Sequence, residues 1–338
     1  MNILVTGGAG YIGSHACLSL LESGYTPIVI DNLSNSSEES LRRVQDITGK
    51  EIIFVQGDIL DLSCLSQIFK DHDIKAVMHF AGLKSVGESV AMPRQYYQNN
   101  VSGTLNLIEA MEVAGCKNLV FSSSATVYGD PESVPITEDM PTGATTNPYG
   151  RSKYIVEEML RDLYDSDDSW NLGVLRYFNP VGAHLSGRIG EDPKDTPNNL
   201  MPYISQVAVG KREQLSVFGS DYPTRDGTGV RDYIHVMDLV EGHVAMLDKL
   251  CQGCGLKIYN LGTGNGVSVL ELVKAFAEGN DVSVPYEIAP RRAGDIAECF
   301  ASPALSEKEL GWKARRNLRD MVEDSWRWQS NNPEGYKA

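Results

Sequence analysis

The segment Asn147-Pro148-Tyr149-Gly150-Arg151-Ser152-Lys153 sets a phenol and an ammonium four residues apart, at the opening of a helix predicted to run to about Asp165. Side chains at that spacing share one helix face. Tyrosine, with an ordinary pKa of about 10, is a poor base at neutral pH. A neighbouring ammonium, or another positive charge beside it, would favour the phenolate, which could then take a proton from an alcohol. By itself Tyr-x-x-x-Lys is common and reads as surface decoration. Here it follows a predicted strand, Asn118 to Phe121, that runs into Ser122-Ser123-Ser124. Hydroxyls are thereby set at the carboxyl edge, where an open parallel sheet binds its ligands.

Elements earlier in the chain must position this pair. The apolar run Asn2 to Val5 enters the turn Thr6-Gly7-Gly8-Ala9-Gly10-Tyr11-Ile12-Gly13 and then a helical stretch, Ser14 to Ser23. Gly7 and Gly10 suit a turn in which a Cβ would block backbone approach, and Gly13 lets the helix lie close on the strand. The N–H groups at that helix start, with the helix dipole, can hold a pyrophosphate. Glycines serve many turns, but a strand before and a helix after make this a dinucleotide site. Tyr25 to Ile30 reads as the next strand, with Pro27 expected at its first residue. It leads to Asp31, whose carboxylate would meet the adenosine ribose and favour NAD over NADP, since a 2′-phosphate would be repelled. A solvated strand-end carboxylate is the other reading. A third strand, Glu51 to Val55, leads to Asp58, which either accepts from the adenine amino group or caps the helix Ser63 to His72. A fourth, Ala76 to Phe80, opens into Ala81-Gly82-Leu83-Lys84, where Lys84 either offsets phosphate charge or is an ordinary surface lysine. From Pro93 a long helix carries Tyr97, Val101, Leu105, Ile108 and Met111 as one apolar stripe, read as core.

The 338 residues allow one large or two smaller domains. A net charge of -15 makes nucleic acid and anionic membrane surfaces poor partners. No apolar stretch approaches the roughly 18 residues needed to span a bilayer. The cysteines at 17, 64, 116, 251, 254 and 299 are scattered, and the chain opens on a strand, so a cytoplasmic location is expected. Cys251 and Cys254 form a C-x-x-C, but nothing nearby completes a metal site. After a sixth strand, Leu172 to Tyr177, the sequence becomes loop-rich from Asn179 to Asn198, marking a smaller domain. The expected division is 1–180 and 181–338, with some segments crossing back. In the second part a helix from Asn198 to about Gly210, a strand Leu215 to Phe218 and a polar loop Asp221 to Gly229 precede Arg231; Arg291 and Arg292 follow later. In so acidic a chain, arginines beside glycine loops suit a diphosphate, although surface ion pairing is also open. The region of Trp326 and Trp328 is expected to close the smaller domain's core.

The glycine turn with Asp31, Asp58, Ser124, Tyr149 and Lys153 resembles the extended short-chain dehydrogenase/reductase superfamily. The runs Thr6 to His15, His79 to Ser89, Phe121 to Gly129, Arg176-Tyr177-Phe178-Asn179-Pro180 and Arg231 to Val236 narrow the resemblance to the UDP-glucose 4-epimerase family, over essentially the full length. It implies an α/β fold, a Rossmann doubly wound parallel sheet with a smaller C-terminal substrate-binding α/β domain. It also implies bound NAD held by Gly7, Gly10, Tyr11, Ile12, Gly13, Asp31, Asn32, Asn35, Ser36, Asp58, Ile59, Phe80, Ala81, Gly82, Lys84, Asn99, Ser124, Tyr149, Lys153 and Phe178. The UDP-sugar would be met by Lys84, Ser124, Tyr149, Asn179, Asn199, Leu200, Phe218, Arg231, Arg292, Asp295 and Cys299. The implied reaction inverts C4 through a transient 4-keto sugar, with Tyr149, Ser124 and Lys153 catalytic, Lys153 depressing the Tyr149 pKa and no metal. The resemblance places a lid at residues 184–200. Cys299 stands where this family varies between tyrosine and smaller residues, so UDP-GlcNAc and UDP-GalNAc are expected substrates too. A homodimer through Pro93 to Gly115 and Pro148 to Asp165 is implied. A nucleotide-sugar 4,6-dehydratase would carry Asp-Glu after the hydroxyl residue, where this chain has Ala125 and Thr126; a non-catalytic NAD sensor would have lost Ser124, Tyr149 or Lys153.

Overall fold

The structure is a computed structural model describing residues 1–194, 197, 199–292 and 294–337. In chain order the strands that matter are β1 (Asn2–Thr6), β2 (Thr26–Asp31), β3 (Ile53–Gln56), β4 (Ile74–His79), β5 (Asn118–Ser124), β6 (Asn171–Tyr177), β7 (Asn179–Val181), β8 (Leu215–Phe218), β9 (Val230–His235) and β10 (Leu256–Leu261). A seven-stranded sheet has the order β10-β6-β5-β4-β1-β2-β3, and its neighbours all pair in parallel. Strands covered by helices on both faces need apolar residues on both, and Ile3, Leu4 and Val5 are wholly buried. Ile3 and Val5 join a core with Leu18 and Val240. Leu4 joins the opposite one with Leu107 and Leu160.

The order reverses direction between β1 and β4, which opens a crevice at the carboxyl ends of those strands. Here the glycine turn, Asp31 and Ala81 to Lys84 come together. The chain crosses back: helix Val236–Leu250 packs in the same core as helix Tyr11–Glu22, and β10 completes the sheet edge. A smaller sheet pairs β9 in parallel with β7 and with Glu298–Cys299, and antiparallel with Gly266–Ser268. β8 pairs with Tyr286–Ala289. Ile204, Val217, Tyr233, Phe276 and Val322 form the core beneath.

Several expectations change in detail. Pro27 is the second residue of β2; β3 pairs only from Ile28 onward, so no ladder bond to β3 is lost there. The helix from Pro93 contains a π-helical turn, Tyr97–Ser102, between Pro93–Tyr96 and Gly103–Ala114. That extra residue per turn rotates the face: Tyr96, Asn100, Thr104, Leu107 and Met111 are buried, while Leu105 is 51% exposed. The cap of helix Leu62–Asp71 is Asp61, which accepts from the Ser63 and Cys64 N–H groups, so Asp58 is not that cap. Trp326 packs edge-on against Phe276 in the smaller core, whereas Trp328 packs against Tyr336 and donates to the Glu191 carbonyl. The helix expected from Asn198 is Leu200–Ala208; Asn198 lies outside the described residues, as do 195 and 196 of the lid region and residue 293.

Candidate functional site

The glycine turn is shaped by close backbone approach. Gly7 has φ +71°, and a Cβ on it would lie 2.8 Å from the Ala81 nitrogen; one on Gly13 would lie 2.1 Å from the Gly7 carbonyl oxygen. Helix Tyr11–Glu22 starts at Gly10 with no capping side chain and no acidic residue in its first turn, so its first N–H groups are open to an anion. Asp31 is fixed by three donors, Ala9 N at 3.0 Å, Leu33 N at 2.9 Å and Ser36 Oγ at 2.7 Å. Asp58 accepts from Asn32 Nδ2 and Leu60 N. Beneath the second turn, buried His79 links Thr6 Oγ1 (2.7 Å) to Thr104 Oγ1 (2.9 Å). Thr104 spends its proton on the Asn100 carbonyl, so His79 donates from Nε2 and receives the Thr6 proton at Nδ1. Burial lowers its pKa to about 3, which keeps it neutral. Thr6 Oγ1 is then left to accept the Ala81 N–H.

These parts border a cleft of about 600 Å³, lined by Gly7, Gly10, Tyr11, Ile12, Gly13, Asp31, Asn32, Asn35, Ser36, Asp58, Ile59, Phe80, Ala81, Gly82, Lys84, Asn99, Tyr149 and Lys153. The volume suits a dinucleotide-sized ligand. A dinucleotide fits: the cradle is one that side chains at Gly7 or Gly13 would fill, and the Asp31 carboxylate lines the same cleft. Of the residues expected around NAD, Ser124 and Phe178 do not border this cleft. Phe178 is buried with Ala125, Tyr128 and Ile136, and Cys299 packs against that cluster.

Pro148 opens and Asn147 caps helix Pro148–Ser166, accepting from the Gly150 N–H at 2.9 Å, and the helix delivers Tyr149 and Lys153 to the cleft. Burial holds the Tyr149 phenol well above its ordinary pKa, Tyr177 adds to this, and a hydrogen bond with Ser124 offsets it. Burial likewise pushes the Lys153 ammonium down to about 8, opposed by Glu157. Lys153 Nζ donates to the Ser122 carbonyl at 2.8 Å and sits over the Phe121 ring. Ser124 Oγ accepts from the Thr126 N–H and hydroxyl at 3.2 and 2.9 Å. Behind them the buried Glu157 carboxylate accepts from Ser123 Oγ at 2.5 Å and from Arg176 Nη2 at 2.6 Å. This pair anchors the serine run of β5 to the helix.

Of the residues expected around the UDP-sugar, Lys84 and Tyr149 line that cleft, whereas the others fall in groups outside its lining. Arg292 lies 4.8 Å over the Phe218 ring and 3.0 Å from Asp295. Cys299 pairs with Arg231, and Asn179 with Tyr233, across β9. Arg231 donates to the Val230 carbonyl, and burial raises the Cys299 thiol to about 11. Asn199 and Lys84 both donate to Glu191 Oε1, at 2.9 and 3.2 Å, and Leu200 begins the helix beside Asn199. Sequence reasoning missed Tyr177, Glu191, Asp192, Pro193 and Tyr336 as cleft residues. Tyr177 could have been found, since it ends β6 opposite Ser124 in register. The others come from a loop and the C-terminal segment, which carry no local signal.

A family profile described as GDP-mannose 4,6 dehydratase matches residues 4–325. The UDP-glucose 4-epimerase of Bacillus subtilis (strain 168) is 63% identical over 338 residues, covering 100% of this chain and 99% of the relative. The crystal structure of UDP-glucose 4-epimerase from Bifidobacterium longum in complex with NAD+ and UDP superposes with a TM-score of 0.97 at 53% identity, over 99% of this chain and 100% of that one. The Stenotrophomonas maltophila enzyme, with bound NAD and formylated UDP-arabinopyranose, gives 0.96 at 52%, over 98% and 99%.

Proposed function

The chain belongs to the UDP-glucose 4-epimerase family within the extended short-chain dehydrogenases/reductases, and from that premise we propose how its residues divide the interconversion of UDP-glucose and UDP-galactose. Bound NAD supplies the hydride acceptor for sugar C4 and a nicotinium charge beside the phenol. Tyr149 takes the O4 proton, with Ser124 hydrogen-bonded to the phenol and shared with the sugar hydroxyl. Burial opposes the phenolate, so Tyr149 becomes a base only when positive charge accompanies it into the cleft. Lys153 holds the nicotinamide ribose. Arg231 and Arg292 grip the diphosphate, Phe218 lies near uracil and Asp295 meets the ribose, anchoring UDP while the 4-keto sugar turns over. Tyr149 then returns the proton to O4 as the hydride taken up by NAD would come back to C4 on its opposite face, which leaves C4 inverted and the cofactor regenerated. The observation that carries this reading is that Tyr149 and Lys153, one helical turn apart, enter the same cleft as the glycine turn and Asp31.

The other roles belong to the same reading. Asn179, Asn199, Leu200 and Lys84 complete the UDP-sugar site, and Phe178 and Ser124 back the nicotinamide end. The division is 1–180 and 181–338, with Val236–Leu250 and β10 returned to the first domain, which the packing of that helix against Tyr11–Glu22 and the pairing of β10 with β6 support. Exposed Leu105 (51%) and Val113 (81%) support a homodimer through helices 93–115 and 148–165; a monomer in sedimentation at micromolar concentration contradicts it. Free cysteines support the cytoplasm; no helix among the described residues is long and apolar enough to cross a membrane. A dehydratase needs a carboxylate after Ser124, where Ala125 and Thr126 stand.

The deciding experiment is a coupled assay of UDP-galactose conversion without added cofactor: turnover supports the reading, and a requirement for a stoichiometric oxidant rejects it. Cys299, small and half-buried beside Arg231, leaves room for a 2-acetamido group, so UDP-GlcNAc and UDP-GalNAc are interconverted too. Cys299→Tyr is expected to lose the acetamido pair while keeping the other; no acetamido turnover by the wild type removes this extension.

A further inference from the structure

The cleft has an outer wall made by residues 190–193, and the last residues of the chain hold that wall in place. Tyr336 lines the cleft with Gly190, Glu191 and Asp192. The Gly190 N–H donates to the Tyr336 hydroxyl at 3.1 Å, that hydroxyl lies 3.2 Å from the Gly190 carbonyl, and the Tyr336 N–H donates to Asp192 Oδ2 at 2.8 Å. The phenol is also hydrogen-bonded to Ser14, on the helix that starts at the glycine turn. One ring therefore ties the outer wall to the inner one.

The ring is itself clamped. Trp328 packs at 4.8 Å from it and donates to the Glu191 carbonyl. Arg43 lies 5.1 Å over Tyr336 and 5.9 Å over Trp328, and donates to Asn332 Oδ1 at 2.7 Å. A Cβ at Gly335 would fall 2.1 Å from an Asp192 carboxylate oxygen, and one at Gly190 would fall 2.3 Å from Trp328, so both approaches need glycine. None of these contacts serves the smaller domain's core, and no acid–base role falls to them.

We infer that residues 332–337 are part of the cofactor site, with Tyr336 setting the width of the cleft over the glycine turn and so slowing release of the dinucleotide. A reaction that regenerates its own cofactor in every cycle needs retention and no exchange path. The inference rests on the dinucleotide reading of the cleft.

The test measures release of NAD from purified holoenzyme by dilution into cofactor-free buffer, following dinucleotide in the filtrate. The wild type is compared with Tyr336→Ala, Tyr336→Phe, Arg43→Gln and a chain ending at Asn331. Losing the ring with its hydrogen bonds is expected to speed release at least ~10-fold in Tyr336→Ala and the shortened chain. Arg43→Gln, which keeps the ring, should speed it roughly 3-fold. Release within twofold of the wild type in all variants that fold overturns the inference. Should the shortened chain or Tyr336→Ala not fold, Tyr336→Phe and Arg43→Gln decide it: wild-type release in both sinks the idea. A wild type that carries no dinucleotide sinks the underlying reading instead.

Discussion

The two ends of the site are built by different means. At the proposed dinucleotide end the cradle is made from backbone: Gly7, Gly10 and Gly13 sit within a few residues of one another, and a Cβ at Gly7 or Gly13 would fill it. At the proposed UDP end, side chains come from segments far apart in sequence: Cys299 pairs with Arg231 of β9, and Arg292 lies over the Phe218 ring. A backbone cradle is rigid and intolerant, because any added atom meets a carbonyl or an amide. A side-chain site is adjustable, because each arginine contributes a separable share of the binding.

Breaking the first kind should therefore cost more than trimming the second. The largest effect is expected from Gly13→Val, whose Cβ would meet the Gly7 carbonyl at 2.1 Å. The purified variant should carry no dinucleotide by absorbance; a full complement would show that the turn is not the cradle. Next, Tyr149→Phe should lower kcat by at least ~100-fold while bound NAD is retained, as loss of a general acid–base does. Near-normal turnover would remove Tyr149 from the chemistry. Arg292→Ala should raise KM for UDP-sugars by about 10–100-fold with kcat little changed, since a charged hydrogen bond is worth about 1.5–3 kcal/mol. A loss confined to kcat would contradict an anchoring role.

The smallest expected effect is one of pH. Burial lowers Lys153 from 10.5 to about 8, so its ammonium is intact below that pH and is lost as pH rises through it. Activity should fall on the alkaline side of about pH 8, and Lys153→Arg, charged throughout, should move that fall upward. An unchanged alkaline limb would assign the titration to another group. The linkage runs the other way for stability: between about 8 and 10.5 the unfolded chain holds the extra proton, so this lysine's contribution to stability grows with pH across that window.

Much of this was legible along the chain. Pro148 after Asn147 announced a helix start, and Tyr149 and Lys153 share a face by spacing alone. The glycine turn, Asp31 and the serines of β5 were readable because strand ends in a parallel sheet all face one edge. The stripe from Tyr97 to Met111 misplaced Leu105 because helical period reasoning assumes 3.6 residues per turn throughout, and the π-helical turn at Tyr97–Ser102 breaks that assumption. Asp58 could not be separated from a helix cap until Asp61 was seen to take that place. Trp328 was assigned to a core by its type, yet its indole closes on Glu191 and Tyr336.

The order of residue types by itself determined the sheet, the glycine turn and the shared helix face of Tyr149 and Lys153, because each is fixed by neighbours within a few residues: backbone freedom at glycine, a cap before a proline, a helical spacing of four. Only the tertiary structure decided that Glu157 and Arg176 anchor β5, that Glu191 joins Lys84 to Asn199, and that Tyr336 walls the cleft. Those contacts join residues distant in the chain, and burial there sets the charge of Lys153 and Tyr149 through surroundings that no local pattern encodes.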